Sequence, residues 1–317
     1  MKKIYDIEIT GTSGILSNRQ NAFVIADENH LKKYDLQTAE QLKTLEIELV
    51  EGLELDTEEE FLYAFTGESI YLVDLQTFEV VKKADINLSD ESDEWEIKGL
   101  YHIKDNLLFL LIRIQYEYNL AALYDMAASD MEVVCREDTE NQLWFDKQNG
   151  LQIVRNERYK PKCDSNVISC KRHWFQSDKF PFKMEISVMQ ADKMTVQKSG
   201  VLYFVDPDGR FSLVMEDAFL KMYCVFVENN SMKVVKKLKS PRNYCPMEAY
   251  LVRECECLVL MYEKESLIFS CKDLDFKLEK VVETSFASSP PLYFQETEQL
   301  LILDAEEGKW VDMEAFH

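Results

Sequence analysis

Short runs of β-branched and aromatic residues, each bounded by two to four polar residues, recur from one end of the chain to the other. Alternation within such runs predicts half-buried strands, and the polar breaks predict turns. Phe61 to Phe65 and Ile70 to Leu75 flank Thr66-Gly-Glu-Ser69 and read as a hairpin. Leu202 to Val205 and Arg210 to Val214 flank Asp206-Pro-Asp-Gly209 and read as another, because Pro207 presets a negative φ and Gly209 supplies a left-handed residue. The same grammar joins Asn21 to Ala26 with Leu31 to Leu36, Cys257 to Tyr262 with Ser266 to Cys271, and Gln299 to Asp304 with Lys309 to Met313. Two segments, Asn119 to Met131 and Leu213 to Tyr223, also read at helical spacing.

An internal repeat lies on this pattern. Tyr34 to Lys43 matches Val73 to Lys82 at an offset of 39 residues, with Asp, Leu, Gln, Thr, Glu and Lys coincident. A strand ending in Asp-Leu, a turn through Gln-Thr and a second strand form a hairpin in which the Asp and Thr side chains bond turn amides. Weaker echoes fall at 123–134, 187–196, 225–235 and 269–281. A period near 40 residues with about four strands per unit is the signature of a β-propeller blade. The Asp-Leu-Gln-Thr turn followed by a strand resembles the outer hairpin of YVTN-type and WD-repeat-like propellers, although the Gly-His and Trp-Asp dipeptides of WD repeats are absent.

Counting units places blades at 12–47, 48–86, 95–138, 140–198, 199–240, 244–284 and 286–316. The expected fold is therefore all-β, a single seven-bladed β-propeller over residues 1–317 built of four-stranded antiparallel blades. Six blades with helical decoration is the alternative. The last unit supplies three strands, so the N-terminal strand at residues 3–9 is expected to pair with Lys309 to Phe316 and close the ring. Closure removes an open sheet edge, which is otherwise a template for aggregation.

Composition narrows the function classes. Hydrophobic residues at 46% and aromatic residues at 12% suffice for a large core and exclude global disorder. With 58 Asp and Glu against 36 Lys and Arg, the net charge of −22 argues against nucleic-acid and anionic-membrane binders, which neutralise phosphates with cations. Residues 1–12 hold no apolar stretch long enough for a signal peptide, and Leu107 to Ile112, the longest apolar run, is far short of the ~20 residues of a membrane span. A cytoplasmic location follows, and with it free thiols at all eight cysteines: Cys135, Cys163, Cys170, Cys224, Cys245, Cys255, Cys257 and Cys271. Cys255 and Cys257 are expected on one strand, facing the same layer as Val259 and Met261.

Catalytic constellations are sparse. There is no glycine-rich phosphate loop, no G-x-S-x-G elbow and no H-E-x-x-H helix. His30, His102, His173 and His317 occur singly, and His102 reads as a satisfied histidine between apolar neighbours. Cys163, Cys170 and His173 lack the tight cysteine pair of a structural zinc site, and Asp206 to Gly209 lacks the continuing ligands of a calcium loop, so neither a metal nor a cofactor is expected. The carboxylates placed on inner strands are Glu54, Asp56, Asp146 and Glu248, the set that a propeller lactonase or hydrolase with a divalent cation in its channel would need.

Charge is uneven. Acidic clusters stand at Glu51 to Glu60 and Asp90 to Glu96, the second enclosing Trp95, and suit a basic protein partner. Residues 155–183 instead carry eight cations against three carboxylates, interleaved with six aromatic or histidine rings, in a blade of about 59 residues. This stretch reads as a basic, aromatic insertion within the fourth blade. Tyr159, Lys160, Arg172, His173, Trp174 and Phe175, with Trp95, are the partner-binding candidates. The function expected from this balance is a non-catalytic, cytoplasmic scaffold or adaptor that binds another protein, with no direct nucleic-acid or membrane contact. An acidic inhibitor or immunity-type protein masking a basic partner is one alternative, and the channel hydrolase is the other.

Overall fold

The computed structural model describes the chain except for residues 1–7, 89–93, 116, 156–166, 194–199, 218–220, 232, 286, 288, 305, 307 and 314–317. Its strands fall into seven sheets, in chain order. Blade 1 holds β1 (Ser13–Ser17), β2 (Ala22–Ala26), β3 (His30–Asp35) and β4 (Gln41–Glu46). Blade 2 holds β5 (Gly52–Leu55), β6 (Phe61–Phe65), β7 (Ser69–Asp74) and β8 (Glu79–Asp85). Blade 3 holds β9 (Trp95–Lys104), β10 (Leu107–Ile114), β11 (Tyr118–Asp125) and β12 (Asp130–Asp138). Blade 4 holds β13 (Gln142–Asp146), β14 (Gly150–Arg155), β15 (Val167–Gln176) and β16 (Lys183–Lys193). Blade 5 holds β17 (Gly200–Val205), β18 (Phe211–Asp217), β19 (Met222–Glu228) and β20 (Lys233–Lys239). Blade 6 holds β21 (Glu248–Val252), β22 (Cys257–Met261), β23 (Glu265–Ser270) and β24 (Lys277–Glu283). Blade 7 has three described strands, β25 (Leu292–Phe294), β26 (Gln299–Ile302) and β27 (Lys309–Asp312). The blades fall where the sequence repeats place them, and the described residues of both segments with helical spacing lie in strands and their turns, in β11 to β12 and in β18 and β19.

Local chemistry sets the outer hairpins. Asp35 Oδ1 accepts the amides of Gln37 at 2.9 Å and Thr38 at 2.7 Å, and Asp74 Oδ1 does the same for Gln76 at 2.8 Å and Thr77 at 2.7 Å. Asp125 repeats the arrangement with Ala127 and Ala128. Each turn then passes through a left-handed residue, Ala39, Phe78 or Ser129. The repeated lysine has a role as well. Lys43 Nζ donates to the carbonyls of Gln76 and Thr77, and Lys82 Nζ to that of Met126, so each lysine fastens the outer turn of the following blade.

The blades are joined by apolar packing. Alternation gives every strand two faces, and each of seven clusters is built from two consecutive blades. Val24, Leu31, Leu62 and Val73 lie between blades 1 and 2, and Ile70, Leu108, Leu110 and Leu120 between blades 2 and 3. Phe211, Phe226, Leu260 and Phe269 lie between blades 5 and 6, where Phe226 stacks on Phe276 with centroids 4.2 Å apart. Phe23, Ile25, Leu292, Phe294 and Leu301 join blade 7 back to blade 1 and complete the ring. Each fully buried side chain of this size stabilises by about 1.5–3 kcal/mol. The N-terminal strand expected to close the ring falls mostly on residues outside the described set. The residues that follow it do reach blade 7: Ile9 packs in the closing cluster, its carbonyl accepts the Gly308 amide at 2.6 Å, and the Gly11 amide donates to Asp304.

Two details differ from the strand reading. Cys255 lies in a 3₁₀ turn, Arg253–Cys255, and Glu256 turns the chain through a left-handed conformation before β22 begins at Cys257. Both cysteines still enter the layer of Val259 and Met261. In blade 4 the spatial order is β13-β14-β16-β15, with β16 parallel to β14. Much of the surplus sequence is therefore part of the sheet: Val167–Gln176 forms the outermost strand, antiparallel to β16. Parallel neighbours need a long connection, and here it runs through β15.

Candidate functional site

The outer strands of blades 4 and 5 differ from the rest. β15 and β20 carry Lys171, Arg172, Lys233, Lys236, Lys237 and Lys239 and not one carboxylate, whereas β4, β8, β12 and β24 each carry at least as many acids as bases. Strand alternation decides which of these side chains meet. Trp174 pairs across the ladder with Glu185, and Arg172 with Ser187, on the β16 face whose Met189 packs against Val214, Val225 and Val227 of blade 5. Trp174 is 64% exposed, Lys183 Nζ sits 4.7 Å from its ring centroid, and Arg172 lies 3.5 Å from Glu185. On blade 5, Lys237 Nζ lies 4.8 Å from the Tyr223 ring centroid and pairs with the buried Glu216 at 2.7 Å, while Tyr223 is opposite Lys239. The junction between blades 4 and 5 is thus a basic perimeter with one large exposed ring.

Alternation also separates residues that are neighbours in sequence. Phe175 pairs with Met184 and packs half-buried on the cluster between blades 3 and 4, and His173, opposite Ile186, takes that same face. Arg172 and Trp174 are brought together, and His173 and Phe175 are turned away from them. Tyr159 and Lys160 lie outside the described residues. Trp95 opens β9 and packs half-buried against the cluster between blades 2 and 3. The structure adds Lys183, Lys237 and Lys239 to the sequence candidates, and the signal for the last two is the acid-free run Lys233 to Lys239.

The described acidic residues near blade 2 are largely engaged. Arg19 pairs with Glu58 at 3.3 Å and with Glu60 at 3.0 Å, and Glu59 accepts from Ser17 Oγ and the Arg19 amide, each at 2.8 Å. These contacts fasten the first turn of blade 1 to that of blade 2. His102 is 4% exposed, with Nδ1 facing the Thr57 amide at 3.2 Å and Nε2 facing the Asp105 carbonyl at 3.1 Å. Burial holds its pKa below the ordinary value, so the ring is a neutral, satisfied part of the interior.

The ring encloses a channel of about 1080 Å³ whose lining includes residues of the inner strands β9, β13, β17 and β21. Of the four carboxylates expected there, Asp146 and Glu248 are in the lining and Glu54 and Asp56 lie outside it; Asp146 pairs with Arg253 at 3.0 Å and Glu54 with Lys147 at 2.5 Å. Asp56 accepts the amides of Glu60 and Phe61 within its turn. Among the described residues no three His, Cys, Asp or Glu side chains converge as a metal site would require. The Glu248 side chain, exposed at the start of β21, makes neither hydrogen bond nor ion pair with the described residues; desolvation by the surrounding protein, opposed by Lys98, pushes its carboxyl up to about 7. The seven described cysteines are free thiols.

No family model matches the sequence, and no curated protein matches it. Solved structures similar over most of the chain include the following three. A hydrazine synthase of Kuenenia stuttgartiensis has 11% identity and a TM-score of 0.39, covering 94% of this chain and 75% of that one. A eukaryotic initiation factor has 10% identity and a TM-score of 0.44, covering 95% and 83%. Hsv2 of Kluyveromyces lactis has 7% identity and a TM-score of 0.47, covering 92% and 89%. The class rests on the sheets themselves: seven consecutive blades closed by apolar packing define a β-propeller. Among the described residues no helix is long and apolar enough to cross a membrane.

Proposed function

We propose that this propeller is a non-catalytic platform that binds another protein at the perimeter of blades 4 and 5. The observation that carries the reading is Trp174, 64% exposed beside Arg172 and Lys183 on the outer edge of a rigid sheet. An exposed aromatic ring flanked by cations offers a partner a large apolar area to cover together with charged hydrogen-bond donors. Trp and Arg are the residues most enriched at interface hot spots. The cations around them suit an acidic segment of the partner, although the chain as a whole is strongly acidic. The platform acts in the cytoplasm, where its free thiols stay reduced.

The test is a double variant, Trp174→Ala with Arg172→Ala, compared with the wild type as bait in an affinity capture at low and high salt. The expected outcome is loss of salt-sensitive partners with stability changed by no more than about 1 kcal/mol, the usual scale for surface positions. Unchanged capture with a clearly lowered melting midpoint would show that the ring serves packing, and the reading would be withdrawn.

A further inference from the structure

The outermost strand of a blade carries one row of backbone groups that no neighbour in the sheet takes. In β15 that row can be assigned. The Ser177 amide donates to the Phe182 carbonyl at 3.0 Å, and hydrogen-bonded pairs recur at every second residue of an antiparallel ladder. Phe175, His173 and Lys171 therefore turn their backbone groups to β16, and Cys170, Arg172, Trp174 and Gln176 turn theirs outward. The inner side of the ladder agrees: Glu185, opposite Trp174, directs its carbonyl away from β15, toward Gly150 of β14. The outward amides and carbonyls of these four residues have no hydrogen-bond partner among the described residues.

The ladders of the blades add a second, independent observation. In blades 1, 2, 3, 5 and 6 the outermost strand carries one extra residue partway along, Leu42, Val81, Val134, Val235 or Glu279, which is skipped in the register and marks a β-bulge. Bulges bend an edge and spoil it as a template for another strand. β15 has its register shift at Val167, its first residue, and runs unbroken from Ile168 to Gln176. This unbroken edge is guarded by charge instead: Lys171 and Arg172 are exposed, and the strand holds no carboxylate. Two copies of β15 side by side would bring like charges together, whereas an acidic strand would meet complementary ones.

We propose that β15 accepts a fifth strand, an extended acidic segment of a partner protein. Its backbone pairs with the outward groups of Cys170, Arg172, Trp174 and Gln176, and its carboxylates meet Lys171 and Arg172. The proposal rests on the perimeter reading above and adds the mode of binding, main-chain pairing along the sheet edge with side chains setting the choice of partner. Acidic segments are selected because the cations that repel a second copy attract them.

The test is calorimetric titration of the full chain with the peptide acetyl-Glu-Val-Glu-Val-Glu-Val-Glu-amide, with the same peptide carrying Lys in place of Glu as control. Two further forms of the acidic peptide are N-methylated, one at the valines and one at the glutamates. Methylation removes backbone donors and keeps every side chain. An added strand uses alternate amides, so one methylated form is expected to bind about tenfold more weakly than the other. Cys170→Pro deletes an outward amide and leaves the bonds to β16 in place, so it should weaken the acidic peptide about fivefold, while Cys170→Ala should not. Should Cys170→Pro fold poorly, the two methylated forms decide alone. Equal affinity of those forms, equal affinity of the Lys peptide, no binding of the acidic peptide at about 1 mM, or a dimer of the chain that Cys170→Pro abolishes each overturns the proposal. Equal affinity of the methylated forms together with loss of peptide binding in Trp174→Ala with Arg172→Ala would remove strand addition and leave the perimeter site standing.

Discussion

Blade 2 caps its outer turn from within, at Asp74, whereas blade 4 adds to its internal cap, Ser177 Oγ on the Phe180 amide, an acceptor supplied by blade 3. In blade 2, Asp74 ends β7 and accepts the amides of Gln76 and Thr77, two and three residues further on. In blade 4, the turn between β15 and β16 turns its amides toward blade 3, where Glu132 accepts from Ser177 Oγ, from the Asp178 amide at 3.0 Å and from the Lys179 amide at 3.3 Å. Lys179 Nζ adds a bond to Asp130 at 2.7 Å. The polarity of the fastening between blades is inverted with it: Lys43 and Lys82 donate to the turns that follow them, while Glu132 accepts. A turn closed by residues two or three apart needs little loop entropy. The reversed hairpin of blade 4 has its register set by the β15–β16 ladder, and its turn is held to blade 3 by Glu132.

The sharpest test of this difference lies at two glycines. Gly150 has φ +75°, and a Cβ there would stand 2.2 Å from the Glu185 carbonyl oxygen, because β16 passes beside β14 in parallel. Gly150→Ala should cost about 3 kcal/mol or more in chemical denaturation, from backbone strain and overlap together. Gly67 of blade 2 has only the Glu51 carboxylate at 3.5 Å, so Gly67→Ala should stay within about 0.5 kcal/mol. Comparable losses at both positions would remove the topological explanation.

Next in size is Glu132→Ala, expected to cost about 2 kcal/mol and to raise hydrogen exchange at Asp178 and Lys179 first. Burial alone would raise the Glu132 carboxyl, but its donors from Ser177, Asp178 and Lys179 outweigh that and hold it below the ordinary value. A depressed carboxylate stabilises above its unfolded pKa, and the contribution is lost as pH falls through the folded one. Protection of the blade 4 turn should therefore decline toward acid pH in the wild type and be low at all pH values in the variant.

Smaller than the Glu132 loss is that of Asp74→Ala, about 1 kcal/mol from two uncapped amides. Its effect should stay within blade 2 and the turn contacts of Lys43, as hydrogen exchange would show. Spread of the loss to blade 4 would contradict the local character of this cap.

The perimeter site is partly legible in the sequence. Trp174 and Arg172 stand out by composition, in a basic stretch of an acidic chain. Grouping them with His173 and Phe175 assumes an insertion between strands; as a strand, β15 sends odd and even positions to opposite faces. The acidic run Glu51 to Glu60 has the composition of a landing surface, but composition carries no sign that Arg19 and Ser17 of blade 1 occupy Glu58, Glu59 and Glu60.

The strands, the turns, the number of blades and their boundaries are all written in the amino-acid order. Each of these depends on interactions within about ten residues, on alternation and on Asp-capped turns, and so is legible continuously along the chain. The strand order of blade 4, the side chains of β15 that face blade 5, and the unpaired state of Glu248 beside the paired Glu54 and Asp146 were settled by the assembled ring. Those outcomes rest on groups far apart in sequence, Lys147 against Glu54 and Arg253 against Asp146, which meet only because the closed ring turns its inner strands toward one axis.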